Sequence, residues 1–169
     1  LPIAVGQATR LLRYLPEEKC YRGVIQLGTQ TDTDDLQGKI IRNEDWPDLN
    51  HNDLNEILNK FRGSIQQRPP QISSVHFKGE RAYKRARRGE KMELPLRRVI
   101  IHDLTLQDWN QSKGQLTFTL SCSSGTYVRA LARDLGELLG CHGCLAKLYR
   151  TRSLGFEEKD AIALPDITE

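Results

Sequence analysis

Cysteine is scarce in this 169-residue chain: Cys20, Cys122, Cys141 and Cys144 are the whole complement. So few in a chain of this size do not make a secreted disulfide framework, and reduced thiols in a cytoplasmic protein are expected. Long apolar runs are missing too, which excludes a membrane-spanning helix and leaves no membrane partner to expect. There is no internal repeat, no low-complexity tract and no leader of the signal-peptide kind. Cys141-His142-Gly143-Cys144 has the spacing of a redox or zinc half-site, but a second CxxC or a close His/Cys cluster is lacking. Two ordinary buried thiols are the expectation, with no metal.

What is present reads as globular. Hydrophobic residues at 38% and charged residues at 28% place the chain among folded domains rather than disordered ones. Its length suits one domain with a real core. The start, Leu1-Pro2-Ile3-Ala4-Val5-Gly6, has no initiator Met and looks like a strand or turn from inside a larger protein.

The net charge of +3 gains meaning once it is placed. Between His76 and Arg98 stand nine basic and three acidic residues, a local balance of +6 that leaves the rest of the chain at −3. A basic segment on a mildly acidic body is the footprint of a polyanion binder, and a solvated charged helix is the bland alternative.

Periodicity supplies the elements. Ala8, Leu11, Leu12 and Leu15 predict a short amphipathic helix ended by Pro16. Tyr21 to Leu27 reads as a strand with Tyr21, Gly23, Ile25 and Leu27 on one face. A polar loop, Thr29 to Gly38, follows. Asp53 and Glu56 have capping-box spacing ahead of a helix that Gly63 closes. The run from 64 to 97 breaks the rhythm, because Pro69 and Pro70 remove donors and force an extended path into a basic loop and short helix. Arg98 to Leu106 returns to strand composition, and Leu116 to Cys122 alternates as a half-buried strand. Ser123-Ser124-Gly125 then turns into a helix striped by Val128, Leu131, Ala132, Leu135, Leu138 and Leu139 and closed by Gly140. The fold class predicted is α+β, a mixed, largely antiparallel sheet flanked by helices.

Ordered motifs run along nearly the whole chain: Leu1-Pro2-Ile3 through Gly6, Ala8 and Thr9; Lys19-Cys20-Tyr21; Leu27-Gly28; Thr31-Asp32-Thr33-Asp34; Gln67-Arg68-Pro69-Pro70; Gly79-x-Arg81-x-Tyr83; Ser124-Gly125-Thr126-Tyr127-Val128-Arg129; and Leu148-Tyr149-Arg150-Thr151-Arg152. Together they resemble the TruB family, which converts a uridine in the TΨC arm of tRNA (position 55) to pseudouridine. The resemblance implies a partial pseudouridine synthase catalytic domain over residues 1–169, in which 64–97 is a basic RNA-binding insertion. It implies no cofactor, the tRNA T-arm as partner, and a monomer in the intact protein. The family's nucleophilic aspartate would lie about ten residues upstream of Leu1, and a C-terminal PUA domain is not expected in this chain.

By that resemblance Tyr21 is the pocket tyrosine that stacks on the target base and aids proton removal from C5. Arg129 pairs with the nucleophilic aspartate, and Tyr127 and Leu148 line the uracil pocket. Lys78, Arg81, Tyr83, Arg85, Arg87 and Arg88 grip RNA. Without the resemblance, Tyr21, Tyr127 and Leu148 read as core residues and Arg129 as a surface arginine. Arg129 does lie in the first turn of its helix, where a cation opposes the macrodipole and calls for a local carboxylate. Asp32, Asp34 and Asp35 read as turn-capping or solvated carboxylates, not as the nucleophile. Two other functions compete: a catalytically silent tRNA-binding or folding module, and an unrelated basic α+β binding domain.

Overall fold

A computed structural model describes residues 2–162. In chain order the strands are β1 Lys19–Leu27, β2 Thr29–Thr31, β3 Ile40–Asn43, β4 Gly63–Gln67, β5 His76–Phe77, β6 Glu80–Arg81, β7 Arg97–Asn110, β8 Gln115–Cys122, β9 Gly143–Ser153 and β10 Phe156–Glu157. The α-helices are α1 His51–Asn59, α2 Ala82–Arg87 and α3 Val128–Leu139. Six strands form one sheet in the order β10-β9-β1-β8-β7-β4. Each of its strand pairings is antiparallel. The α+β expectation holds.

Register explains which face is buried. Tyr21 lies opposite Leu120, Gly23 opposite Phe118 and Ile25 opposite Leu116, so these residues share one face. On the other side of β8, Leu104 stands opposite Leu120 and Trp109 opposite Leu116. Leu54 and Leu58 of α1 and Val128, Leu131 and Leu135 of α3 close over this surface. Each fully buried leucine or phenylalanine there contributes about 1.5–3 kcal/mol. Two bulges keep β7 in phase with β8: the pairing skips His102 and Gln107, so the buried positions Ile101, Leu104 and Trp109 reach the core despite irregular spacing.

α3 buries Val128, Leu131, Ala132 and Leu135 of its predicted stripe, leaves Leu138 exposed on the last turn, and stops at Gly140 in the left-handed conformation. It lies very close to the start of β9, because a Cβ on Gly136 would meet the His142 and Gly143 backbone at 2.1 and 2.2 Å. Only glycine fits that crossing.

Three local readings change. The capping box of α1 begins at Asn50, not Asp53. Asn50 accepts from the amides of Asn52 and Asp53 at 2.8 and 3.1 Å, and Asp53 accepts from the Asn50 amide at 3.0 Å. The apolar stripe near the start winds as a 3₁₀ helix, Gly6–Tyr14, with no buried residue. A stripe without a packing surface gives little helical stabilisation. Part of the polar loop, Thr29–Thr31, pairs with β3. Leu1, the first residue of the expected opening strand or turn, lies outside the described residues.

The basic segment is more than a loop. Its first residues form edge strand β4, and the remainder makes an arm with a core of its own: Val75, Ala82, Met92 and Leu94, with Phe77, Ala86 and Tyr127 packed against them. Lys78 and Gly79, both at positive φ, join β5 to β6 as a two-residue hairpin turn. Gln71 ties the outgoing and returning chains, donating to the Met92 carbonyl at 2.7 Å and accepting from its amide at 3.0 Å.

Candidate functional site

The sheet face that carries Tyr21 continues onto β9. Leu148 lies opposite Gly23, and Arg150 lies opposite Tyr21, so both point to the side on which α3 packs. Tyr21 is buried, whereas Leu148 is 44% exposed. Gly23 lets them share the floor, since a Cβ there would meet the Phe118 ring at 2.7 Å and the Lys147 carbonyl at 2.9 Å. The Arg150 guanidinium sits 5.4 Å from the centre of the Tyr21 ring. Burial pushes the Tyr21 phenol above its ordinary value, with Arg150 opposing the shift, so the group is neutral at physiological pH.

Arg129 stands in the first turn of α3, 26% exposed. It donates to the Thr33 carbonyl at 3.0 Å, to the Asp35 carboxylate at 3.2 Å and to the Ile72 carbonyl at 2.9 Å. The anion that the macrodipole argument demands is therefore Asp35, 94 residues away in the chain. The acidic loop also caps itself, as expected. Asp35 accepts from the Thr33 hydroxyl at 2.8 Å and the Gln37 amide at 3.1 Å, and Asp32 accepts from the Lys39 amide at 2.8 Å. The loop docks on β9 through the Leu36 amide and the Leu145 carbonyl at 3.0 Å. That anchor lies three residues before Leu148.

Tyr127 goes elsewhere. Its side chain packs on the core of the arm, and its backbone is clasped by the buried Gln67, which donates to the carbonyl at 3.1 Å and accepts from the amide at 2.8 Å. Tyr127 thus joins the arm to the start of α3, while Tyr21 and Leu148 form the floor. Of the six arm residues singled out in the sequence, two are engaged by acids. Arg85 binds Glu90 at 2.7 Å, and Arg88 binds Glu80 at 2.6 Å and Glu90 at 2.9 Å. Lys78, Arg81 and Arg87 are exposed and form no ion pair among the described residues. The Arg87 guanidinium lies 5.6 Å from the centre of the Tyr83 ring.

Sequence reasoning missed Asp35 as the partner of Arg129, Arg150 beside Tyr21, and Gln67. Only Arg129 carried a signal, its unfavourable place on the helix. The cysteines are free thiols, and Cys122, Cys141 and Cys144 are buried. Burial raises all three, Cys144 to about 11, so none is poised as a thiolate. A cavity of about 540 Å³ is lined by Asp32, Asp34, Arg68, Arg133 and Asp134 among others. It does not include Tyr21, Arg129 or Leu148.

Residues 1–128 match the family profile described as TruB family pseudouridylate synthase (N terminal domain), and residues 129–169 match the tRNA pseudouridylate synthase B C-terminal domain. The two meet inside α3, so β1 and β9, neighbours in one sheet, come from different profiles. The chain is 63% identical to a tRNA pseudouridine synthase B of Synechococcus sp. (strain CC9311), covering 98% of this chain and 56% of that protein. It is 61% identical to one of Parasynechococcus marenigrum (strain WH8102), covering 98% and 57%. The chain therefore spans about half the length of the curated relatives it matches. Among solved structures, a Cbf5-Nop10-Gar1 complex contains a chain with the same fold, at TM-score 0.68 and 24% identity, covering 96% of this chain and 39% of that one. An H/ACA RNP bound to a substrate RNA containing 2'-deoxyuridine gives TM-score 0.60 and 21% identity, covering 92% and 34%.

Proposed function

The chain belongs to the TruB family of pseudouridylate synthases, and from that premise we propose that it is part of a tRNA pseudouridine synthase acting on the TΨC arm. The reaction breaks the N1–C1′ bond, turns the uracil and joins C5 to C1′. N1 gains a proton and C5 loses one, with no net redox change. The target base must leave its stack to be reached.

Tyr21 and Leu148 receive the extruded uracil, and Tyr127 braces the arm at its rim. A neutral phenol suits Tyr21 to stacking on the base and to donating a hydrogen bond. Arg129 faces a carboxylate nucleophile contributed from outside residues 1–169 and keeps it ionised. A guanidinium a few Å away lowers a carboxylate pKa by about 1–3 units. On the arm, Lys78, Arg81 and Arg87 neutralise RNA phosphates beside Tyr83, while Arg85 and Arg88 chiefly hold the arm in shape. The free thiols fit a reducing cytoplasm.

One observation carries this reading: Arg129, in the first turn of α3, is held half-buried against Asp35, whose loop docks on β9 at Leu145, three residues before Leu148. The test is tritium release from 5-labelled uridine in unmodified tRNA by the full-length protein. Release is expected, and Arg129→Lys is expected to slow it about 100-fold, roughly 2.7 kcal/mol of transition-state stabilisation. Tight tRNA binding with no release by the wild type would overturn the enzyme reading in favour of an RNA-binding module.

A further inference from the structure

The geometry points to Arg133 and Asp34 as a positioning pair that holds Asp35 against Arg129, an inference that rests on the function proposed above. Arg133 follows Arg129 by one helical turn and so stands on the same strip of α3. Its guanidinium donates to Asp34 at 3.0 Å, to Asp134 at 2.9 and 2.7 Å, and to the Arg68 carbonyl at 2.8 Å. Arg129 repeats this pattern four residues earlier in the helix, reaching the same acidic loop and the Ile72 carbonyl. The two arginines therefore stitch together three segments distant in sequence: the acidic loop, the proline-containing root of the arm, and α3.

Backbone conformation shows why both are needed. The chain turns through Asp32 to Asp34 and meets β9 at Asp35. Asp34 and Asp35 both reach arginines of one helix. They do so because Asp34 takes φ +59, a left-handed conformation uncommon for a residue with a Cβ. The Asp34 carboxylate, 15% exposed, is held by Arg133, and its carbonyl accepts from the Leu145 amide at 3.0 Å. Without the ion pair, Asp34 is free to return to ordinary φ, and Asp35 turns away from Arg129. Burial pushes the Asp34 carboxyl upward, and the charges of Arg133 and, less strongly, Arg129 pull it down.

The test uses the full-length protein and compares Arg133→Met, Asp34→Ala and Asp34→Gly. Glycine keeps positive φ accessible without the carboxylate. Single-turnover pseudouridine formation is expected to fall about 10- to 100-fold in Arg133→Met and Asp34→Ala, with the tRNA Kd within about twofold of wild type. Asp34→Gly is expected to lose less. Amide hydrogen exchange is expected to quicken at Leu36 and Gln37 in the first two variants. A lower Tm with unchanged turnover would make the pair merely structural and overturn the proposal. So would a Kd that rises in step with the loss of rate, since that would place the pair in RNA grip. If the wild type forms no pseudouridine, the functional reading fails by itself, and exchange at Leu36 and Gln37 decides whether the pair positions the loop.

Discussion

Gln67 illustrates how much one side chain can decide. It is 1% exposed, and its amide satisfies both backbone groups of Tyr127 at the threshold of α3. Replacing it with methionine of similar bulk leaves the Tyr127 N–H without a partner, which costs about 1–3 kcal/mol when desolvated, while the Tyr127 C=O keeps its bond from the Leu131 amide at 3.1 Å. Gln67→Met is therefore expected to lower unfolding stability by about 1–3 kcal/mol in urea titration. A loss below about 0.5 kcal/mol would mean that water satisfies that amide and that the clasp is incidental. Residues of this kind are where the sequence is least legible. Nothing near Gln67 announces a partner 60 positions away, and nothing near Arg129 names Asp35. Only the sign of the charge at a helix start could be read, because the macrodipole acts locally.

Elements were legible in proportion to their regularity. The alternation of β8 and the stripe of α3 are periodic signals that survive tertiary packing, and both appear where expected. β7 was read only in part, because its bulges at His102 and Gln107 answer to β8 and leave no local mark. The sequence of the arm reads as loop and short helix because Val75, Ala82, Met92 and Leu94 follow no period, yet they close a small core. That core sorts the arm's cations into two kinds. Charge reversal at Arg81 and Arg87 is expected to reduce the slope of log K against log salt for tRNA by about 1 per lost phosphate contact. Arg88→Glu is expected to act differently: it places like charges beside Glu80 and Glu90 and loosens the arm itself. Its signature is a lowered Tm in the absence of RNA. Equal slopes in wild type and the Arg81/Arg87 variant would remove those residues from the interface.

At the scale of the whole molecule, the single sheet makes alkaline stability a shared property. Tyr21, Cys122 and Leu145 belong to one core, and Cys144 is fully buried beside it on β9, so global unfolding exposes the titrating groups together. Burial raises Cys122, Cys141, Cys144 and Tyr21 alike above their ordinary values. The sign follows from proton counting. Above the ordinary thiol value of 9.0, the unfolded chain has released thiol protons that the native state still holds. The native state then binds more protons, so unfolding becomes easier as pH rises. Below that value both states are protonated at these groups and they contribute no slope. The urea midpoint is thus expected to be flat with respect to the thiols up to about pH 9 and to fall through about pH 11. Cys144→Ala removes the group with the highest thiol value, so its midpoint should fall less steeply over that interval, even if its plateau is lower from lost packing. A wild-type midpoint that stays level across the interval would mean that the thiols ionise as freely in the folded protein as in the unfolded chain, and that the β1–β9 half of the core admits water.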